Sequence, residues 1–406
     1  MLRYLLVLIS LVSVAYGQTP YRVVMTREDG IPIVFNMVVK SEKNQPVWVI
    51  SNASERLRVD SIKKKGDSLF IDMPFFDSRL SMYVSSDQKI KGYWYKGTTT
   101  ADQVMPVEAT PGVNWRFQSV KGDASYNISG RYAVEFTRPD GTKRKSVAEF
   151  RQQKNELTGT FLNPSGDYRF LEGIVTGDSL MLSCFDGSHA YYFGARITGP
   201  GKIDLGVFCA GLRYMEPWTA VQDPAAKVEP AGAMMYLKEG EDRLNFRFPD
   251  LDSNMVSIDD ERFRNKVVVI QLMGSWCPNC MDETAFLSEW YRKNRQRGVE
   301  VIGLAYEYTR DFRKAETSLR KFQHRYNVQY PILNTGVITS DSLRTEKTLP
   351  QLTTIKVYPT TIFLGKDGHV KKIHPGFWGP GAGSLHEDFK REFNATVDEL
   401  LGEKGD

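Results

Sequence analysis

The segment Trp276-Cys277-Pro278-Asn279-Cys280 joins an apolar run, Val267-Val268-Val269-Ile270, to a stretch from Met281 to Arg297 with the pattern of an amphipathic helix. A strand that turns into a helix on a C-x-x-C places a dithiol where it can exchange electrons. The first cysteine falls at the helix N-terminus, where unpaired backbone N–H groups and the helix dipole favour its thiolate. The second follows one turn later, within reach of a short disulfide. Zinc and an inert pair are the alternatives, but a metal site wants four ligands. No second C-x-x-C or C-x-x-H exists, and Cys184 and Cys209 lie in a different part of the chain.

Around this motif β-runs alternate with helical stretches. Strands are expected at Lys266 to Met273, Val299 to Tyr306 and Tyr330 to Leu333. Two more, Thr360 to Leu364 and Val370 to His374, flank a Lys366-Asp367-Gly368 turn. Helices are expected from Asp311 to Tyr326 and from about Leu385 to Leu401. Helices layered on a central sheet make an α/β domain, residues 244–406. Residues 224–243 turn Pro/Ala/Gly-rich and then charged, as a linker does.

The front of the chain contains a duplication. At an offset of 111 positions Lys43-Asn44 recurs as Lys154-Asn155, Asn52 as Asn163, Ser54 as Ser165 and Arg58 as Arg169. Gly66-Asp67-Ser68-Leu69 recurs as Gly177-Asp178-Ser179-Leu180. Nine identities in a 27-residue window define two units, residues 18–123 and 124–223. Each unit reads as short β-branched and aromatic runs separated by polar turns, such as Ile33 to Val39, Val47 to Ile50 and Ser68 to Met73. Antiparallel meanders closing into a barrel or a sandwich are expected, either as one shared sheet or as two stacked ones. The whole chain is therefore multidomain, an all-β antiparallel duplicated region followed by the α/β domain.

Within this region Asp186-Gly187-Ser188-His189 brings serine and histidine together, but neighbours on a turn or strand point apart, so a structural turn is expected. Lys63-Lys64-Lys65 reads as a solvated loop. Cys184 and Cys209 can form a disulfide or remain two buried thiols.

The N-terminus has one basic residue, Arg3, an apolar run from Leu5 to Val14, and Ala15-Tyr16-Gly17. This is the pattern of a secretory signal over residues 1–17, with a soluble, extracytoplasmic, periplasmic mature chain expected. Spanning a bilayer needs roughly 20 apolar residues; this run has ten, so an uncleaved anchor is the less favoured reading. With 53 basic and 49 acidic residues, a formal charge of +4 and no basic run interleaved with aromatics, nucleic-acid binding has no support. Four cysteines in 406 residues are too few for a disulfide-stapled scaffold.

The pairing of Cys277-Pro278-Asn279-Cys280 with a later Tyr358-Pro359-Thr360-Thr361 resembles the thioredoxin superfamily. With Glu283 and the signal sequence, residues 246–404 look like the TlpA/ResA-type thiol–disulfide oxidoreductases, whose motif is W-C-x-x-C-x-x-E-x-P. Here it runs from Trp276 to Glu283, but Ala285 stands in place of the final proline, so the kink that proline gives is not expected. The repeated β half also looks like the N-terminal region of some secreted members. The resemblance implies that Pro359 is cis, and that Trp276, Tyr358 and Pro359 meet the substrate beside the sulfurs. It further implies protein thiol and disulfide substrates, a membrane thiol electron donor and the reductive direction. No bound cofactor or metal is expected, the redox group being the Cys277–Cys280 disulfide itself.

Thioredoxins carry an aspartate six residues before the first cysteine, and Gln271 takes that place here. Glu283, on the helix of the dithiol, is then the candidate proton acceptor, since burial can raise a carboxyl into the useful range. Cys277 attacks a substrate disulfide and Cys280 resolves the mixed disulfide. Two rivals are weighed. A thiol peroxidase would use T-x-x-C, and Gly274 occupies the threonine position. A binding protein would use the β region to recognise a ligand or partner; in the enzyme, that region could serve as a docking surface.

Overall fold

The computed structural model describes residues 18–74, 76–97, 103–228 and 235–403. The expected signal segment lies outside the described residues.

Strands β1 (Thr19–Thr26) to β9 (Gln103–Pro111) form one antiparallel sheet, and β10 (Gly130–Thr137) to β18 (Tyr214–Gln222) form another. In each the first strand of the unit pairs with the last, β1 with β9 and β10 with β18, and the rest fan out on either side. The shared sequence falls on corresponding turns. Lys43 and Lys154, both left-handed at φ 49° and 55°, turn the second strand into the third. Gly66 and Gly177, at φ 60° and 54°, open the sixth strand of each sheet. Lys63 to Lys65 belong to a short edge strand, Ile62–Lys65, rather than to a loop: hydrogen bonds to Ser68–Asp72 hold the backbone while the lysines stay in solvent.

The sheets differ in closure. In the second, β12 (Glu156–Asn163) pairs with both β11 (Lys143–Gln153) and β14 (Leu171–Thr176), completing an eight-strand ring. Gly159 lies at that junction, where a Cβ would stand 2.4 Å from the Glu149 carbonyl oxygen and 2.7 Å from the Phe150 ring. The position 111 residues earlier is Trp48, and the first sheet stays open between β4 (Glu55–Val59) and β5 (Ile62–Lys65). Its concave face takes the turn after β15 (Ser179–Phe185) instead. Phe185 stacks on Phe35 at 4.6 Å and meets Trp94 edge-on at 5.6 Å. The buried Asn52 amide bonds both the N–H and the carbonyl of Phe185.

The remaining residues build the α/β domain. After a two-stranded ribbon, β19 (Arg247–Pro249) and β20 (Met255–Ser257), come β21 (Val267–Met273), β22 (Val299–Ala305), β23 (Ile332–Asn334), β24 (Thr360–Leu364) and β25 (Val370–Pro375). They form one sheet in the order β23-β22-β21-β24-β25. The first three sheet strands run parallel, and β24 and β25 alternate against them. Every residue of β21, β22 and β24 is buried, which explains their unbroken apolar runs. Helices α1 (Pro278–Asn294), α2 (Phe312–Tyr326) and α4 (Ser384–Gly402) pack into the core on one face; the segment around Phe246 to Phe263 and residues near the short α3 (Arg344–Thr348) close the other. The former core is continuous with that of the first β sheet. Among the described residues no helix is long and apolar enough to cross a membrane.

Candidate active site

Strand β21 delivers the dithiol. Its last residue, Met273, is followed by Gly274 and Ser275, and Cys277 becomes the N-cap of α1 with Pro278 in the first turn. Proline suits that position because its missing N–H would have no helical partner. The Cys277 sulfur accepts a hydrogen bond from the Cys280 N–H at 3.2 Å, so the free amides of the helix start point at the group that must carry negative charge. Both cysteines are free thiols, as are Cys184 and Cys209, which lie buried in separate strands.

The Tyr358–Pro359 bond is cis and stands against the dithiol, with the Cys277 thiol 3.6 Å from the Tyr358 carbonyl oxygen. Trp276 is pinned by its indole N–H, which donates to the Tyr306 carbonyl at 2.7 Å, and it stacks on Tyr308 at 4.8 Å. The Tyr358 ring meets it edge-on at 5.7 Å. The six residues singled out in sequence, Trp276, Cys277, Cys280, Glu283, Tyr358 and Pro359, thus lie around the start of one helix.

Beneath the dithiol, Glu283 is fully buried rather than solvated. Desolvation pushes its carboxyl up to about 7, against the opposing pull of hydrogen bonds from Thr361 and Gln271. Gln271 donates to Glu283 at 2.7 Å and to the Cys280 carbonyl at 3.3 Å, while its own oxygen accepts from Thr284 at 2.9 Å. The Cys280 thiol is pushed well above its ordinary value by burial, with added contributions from the Cys277 sulfur and Glu283. A second buried carboxyl, Glu307, is likewise pushed up to about 7 by desolvation. It accepts from the Ser275 N–H and hydroxyl, both at 2.7 Å, and so fixes the residue before Trp276.

Cys277 is nearly as buried as Cys280, at 4 % against 0 %. The β region packs onto the first turn of α1, beside it. Arg169, from the second unit, donates to the Pro278 carbonyl at 3.2 Å and to Asp282 at 2.9 Å, and also pairs with Glu55 of the first unit. With its amide turned to donate, Asn279 reaches the Asp167 carboxylate at 3.2 Å, and the Gly379 N–H bonds the same group at 3.1 Å. Burial pushes Asp282 up to about 7 and Asp167 up to about 6; the Arg169 charge opposes both. Ser188 and Lys96 line a further cavity of about 250 Å³ with Trp276, Tyr308 and Glu307. The stretch Asp186 to His189 is a turn: the Asp186 carboxylate accepts from the Ser188 and His189 N–H groups at 3.0 and 2.7 Å and bonds the His189 ring.

Thr361, Glu307, Asp282, Asp167 and Arg169 were not singled out by sequence reasoning. Arg169 alone left a signal, as one of the nine repeated positions; its counterpart Arg58 is a surface residue paired with Glu42 and Asp60. Among the described residues no cluster of His, Cys, Asp and Glu could hold a metal ion.

Residues 240–373 match the AhpC/TSA family. The chain is similar to the thiol-disulfide oxidoreductase ResA of Halalkalibacterium halodurans, 26% identical over 140 residues that make up 34% of this chain and 69% of that protein. ResA of Bacillus subtilis is 22% identical over 140 residues, with the same coverage of 34% and 69%. Among solved structures, a thiol:disulfide interchange protein DsbE from Chlorobium tepidum matches 41% of this chain and 100% of its own, at 18% identity and a TM-score of 0.31. The C-terminal domain is thioredoxin-like, and these relatives are named for thiol–disulfide exchange.

Proposed function

We propose that the chain is an extracytoplasmic thiol–disulfide oxidoreductase that reduces disulfides of exported proteins, with Cys277 as nucleophile and Cys280 as resolving thiol. The observation that carries this reading is the Cys277 sulfur at the N-terminus of α1, facing the cis Tyr358–Pro359 bond with Cys280 buried behind it. The Cys277 thiolate attacks one sulfur of a substrate disulfide; the other sulfur leaves as a thiolate and takes up a proton. Cys280, deprotonated, then attacks the Cys277 sulfur, which frees the second substrate thiol and leaves the protein as a Cys277–Cys280 disulfide. Two electrons pass to the substrate. A thiol donor, in our reading a membrane thiol relay, returns them.

The second step requires a buried thiol to lose its proton, and desolvation opposes that. Glu283 supports the assignment of proton acceptor, because a carboxyl at about 7 is partly ionised at neutral pH and is electrostatically coupled to Cys280. Trp276, Tyr358 and Pro359 are assigned to substrate contact. Extracytoplasmic placement rests on the apolar N-terminal segment, read as a secretory signal. Gly274 in place of a threonine speaks against peroxide chemistry.

The test is dithiothreitol-linked reduction of insulin by the full chain and by Cys277→Ser. The reading expects catalysis above the dithiothreitol background for the first and none for the second. Equal rates for the two would overturn it.

A further inference from the structure

The segment that leads into Tyr358 forms one wall of a groove of about 680 Å³, and the mouth of the closed barrel forms the other. Lys356 and Val357 lie on the first wall; the barrel contributes Tyr168, Phe208 and Tyr214 as an aromatic floor. Tyr168 and Phe208 are packed edge-on at 5.2 Å, and Tyr214 keeps 43 % of its surface in solvent. The charge of the lining is one-sided. Five of its thirteen residues are Lys or Arg, and Glu216 is its one carboxylate. That carboxylate is already committed, to the Arg144 guanidinium and the Tyr214 hydroxyl. Arg138, Lys143 and Lys356 stand exposed around the opening. Lys143 shares its charge with the half-exposed Glu135 at 3.0 Å, and the Arg138 guanidinium donates to the Thr142 hydroxyl at 3.3 Å beside the Asp140 carboxylate.

We propose that this groove docks the polypeptide that flanks the substrate disulfide, and that it selects acidic sequence. The proposal deepens the exchange reading above and rests on it. A disulfide held against the Cys277 sulfur has Tyr358 beside it, so chain continuing along residues 357 and 356 enters the groove. A cleft with cations of one sign and low-dielectric walls concentrates anionic partners and raises their encounter rate. Acidic side chains meet Arg138, Lys143 and Lys356 at the rim, and apolar ones rest on the aromatic floor. The selecting surface is supplied largely by the second β unit, which gives the non-catalytic half a part in substrate choice.

The experiment uses pre-reduced full-length protein in single turnover. It is oxidised by two disulfide peptides of equal length, one flanked by Asp and Glu and the other by Lys, and by neutral bis(2-hydroxyethyl) disulfide. A second-order rate about tenfold higher for the acidic peptide at low ionic strength is expected, shrinking as salt screens the groove. In the double variant Lys143→Glu, Lys356→Glu the ratio of the two peptide rates should fall to one or below. Wild-type protein that reduces the neutral disulfide but treats both peptides alike overturns the groove assignment only. A folded double variant that keeps the wild-type ratio does the same. Protein that reduces none of the three disulfides overturns the exchange reading and the groove with it.

Discussion

Gln271 and Thr361 lie directly opposite each other on β21 and β24, and both side chains donate to the carboxylate of Glu283. A buried carboxyl is therefore held by two neutral donors from the sheet while it rides on the helix of the dithiol. Neutral donors favour the ionised form without neutralising it, so Glu283 stays near 7 rather than falling to the surface range.

Glu283→Gln is nearly isosteric and removes the titration. Turnover in disulfide reduction should fall by about 10²-fold, and the pH dependence of the remaining rate should lose its inflection near neutrality. Iodoacetamide should still label Cys277 within a few-fold of the wild-type rate. A variant with wild-type turnover from pH 5 to 9 would show that the carboxylate takes no part.

Thr361→Val keeps the shape and deletes one donor. The Glu283 pKa should rise further, because the lost hydrogen bond favoured the ionised form. The inflection in the rate profile should move to higher pH, with a smaller loss at its plateau than in Glu283→Gln. An unmoved inflection would count against the assignment.

Replacement of Cys280 by serine should trap the protein in a mixed disulfide with its substrate, since nothing remains to attack the Cys277 sulfur. Intact mass spectrometry after exposure to a disulfide peptide should show one adduct, on Cys277. Labelling of the Cys277→Ser variant at Cys280 instead would reverse the two roles.

Arg169 holds two carboxylates, one from each side of the interface beside Cys277. Arg169→Ala leaves Glu55 and Asp282 without their buried cation, a loss of about 3 kcal/mol for a pair of this kind. Stability should fall accordingly in urea titration, and the Cys277 thiol should become faster to alkylate. Arg58→Ala, at the repeated position on the exposed surface, should change neither. Equal behaviour of the two variants would mean that the interface does not guard the sulfur.

Asp167, Asp282, Glu283 and Glu307 are all raised by burial, to about 6, 7, 7 and 7. Between the ordinary carboxyl range and these values the folded protein binds more protons than the unfolded chain, so stability declines as pH rises. Their contribution is complete below the ordinary values of 3.8 and 4.5, and is lost as pH passes through 6 and 7. Burial lowers His189, His374 and His386, which act in the opposite sense as pH rises. The carboxyl contribution is therefore read by comparison of variants: between pH 5 and pH 8 the urea midpoint of wild type should fall relative to that of Glu283→Gln. A variant whose midpoint tracks the wild type across this interval would contradict the burial of Glu283.

How much of this was legible beforehand depends on the reach of each interaction. The sheet strands of the α/β domain announce themselves because burial on both faces leaves long apolar runs such as Val267 to Ile270. Helix α1 begins at Pro278, three residues before its apolar pattern, because the cap is made by a cysteine sulfur rather than by a Ser, Thr, Asp or Asn. In the β region strands such as Ser78–Val84 and Tyr214–Gln222 lack a clean apolar–polar alternation, because their exposed positions include Tyr83, Val84, Met215 and Pro217. Glu283 could be named from its spacing to Cys280, a contact within one helix. Thr361 and Arg169 could not, since they reach the site from 78 and 113 positions away in sequence. The packing of the β region beside Cys277 is of that second kind.

The unclosed first sheet sets a schedule for the growing chain. All nine of its strands precede Phe185 and Ala190, the residues that fill its hollow face. The same core is continuous with that of helices that come still later. The part synthesised first is consequently the part completed last. Until the barrel hairpin and the α/β domain have emerged, its apolar hollow lies open beside the sheet edges β4 and β5, which no later strand pairs, a combination prone to sticking to other chains. A chain cut short before Phe185 would keep that surface bare permanently, so release of incomplete chains should be far more damaging than loss of the last helix.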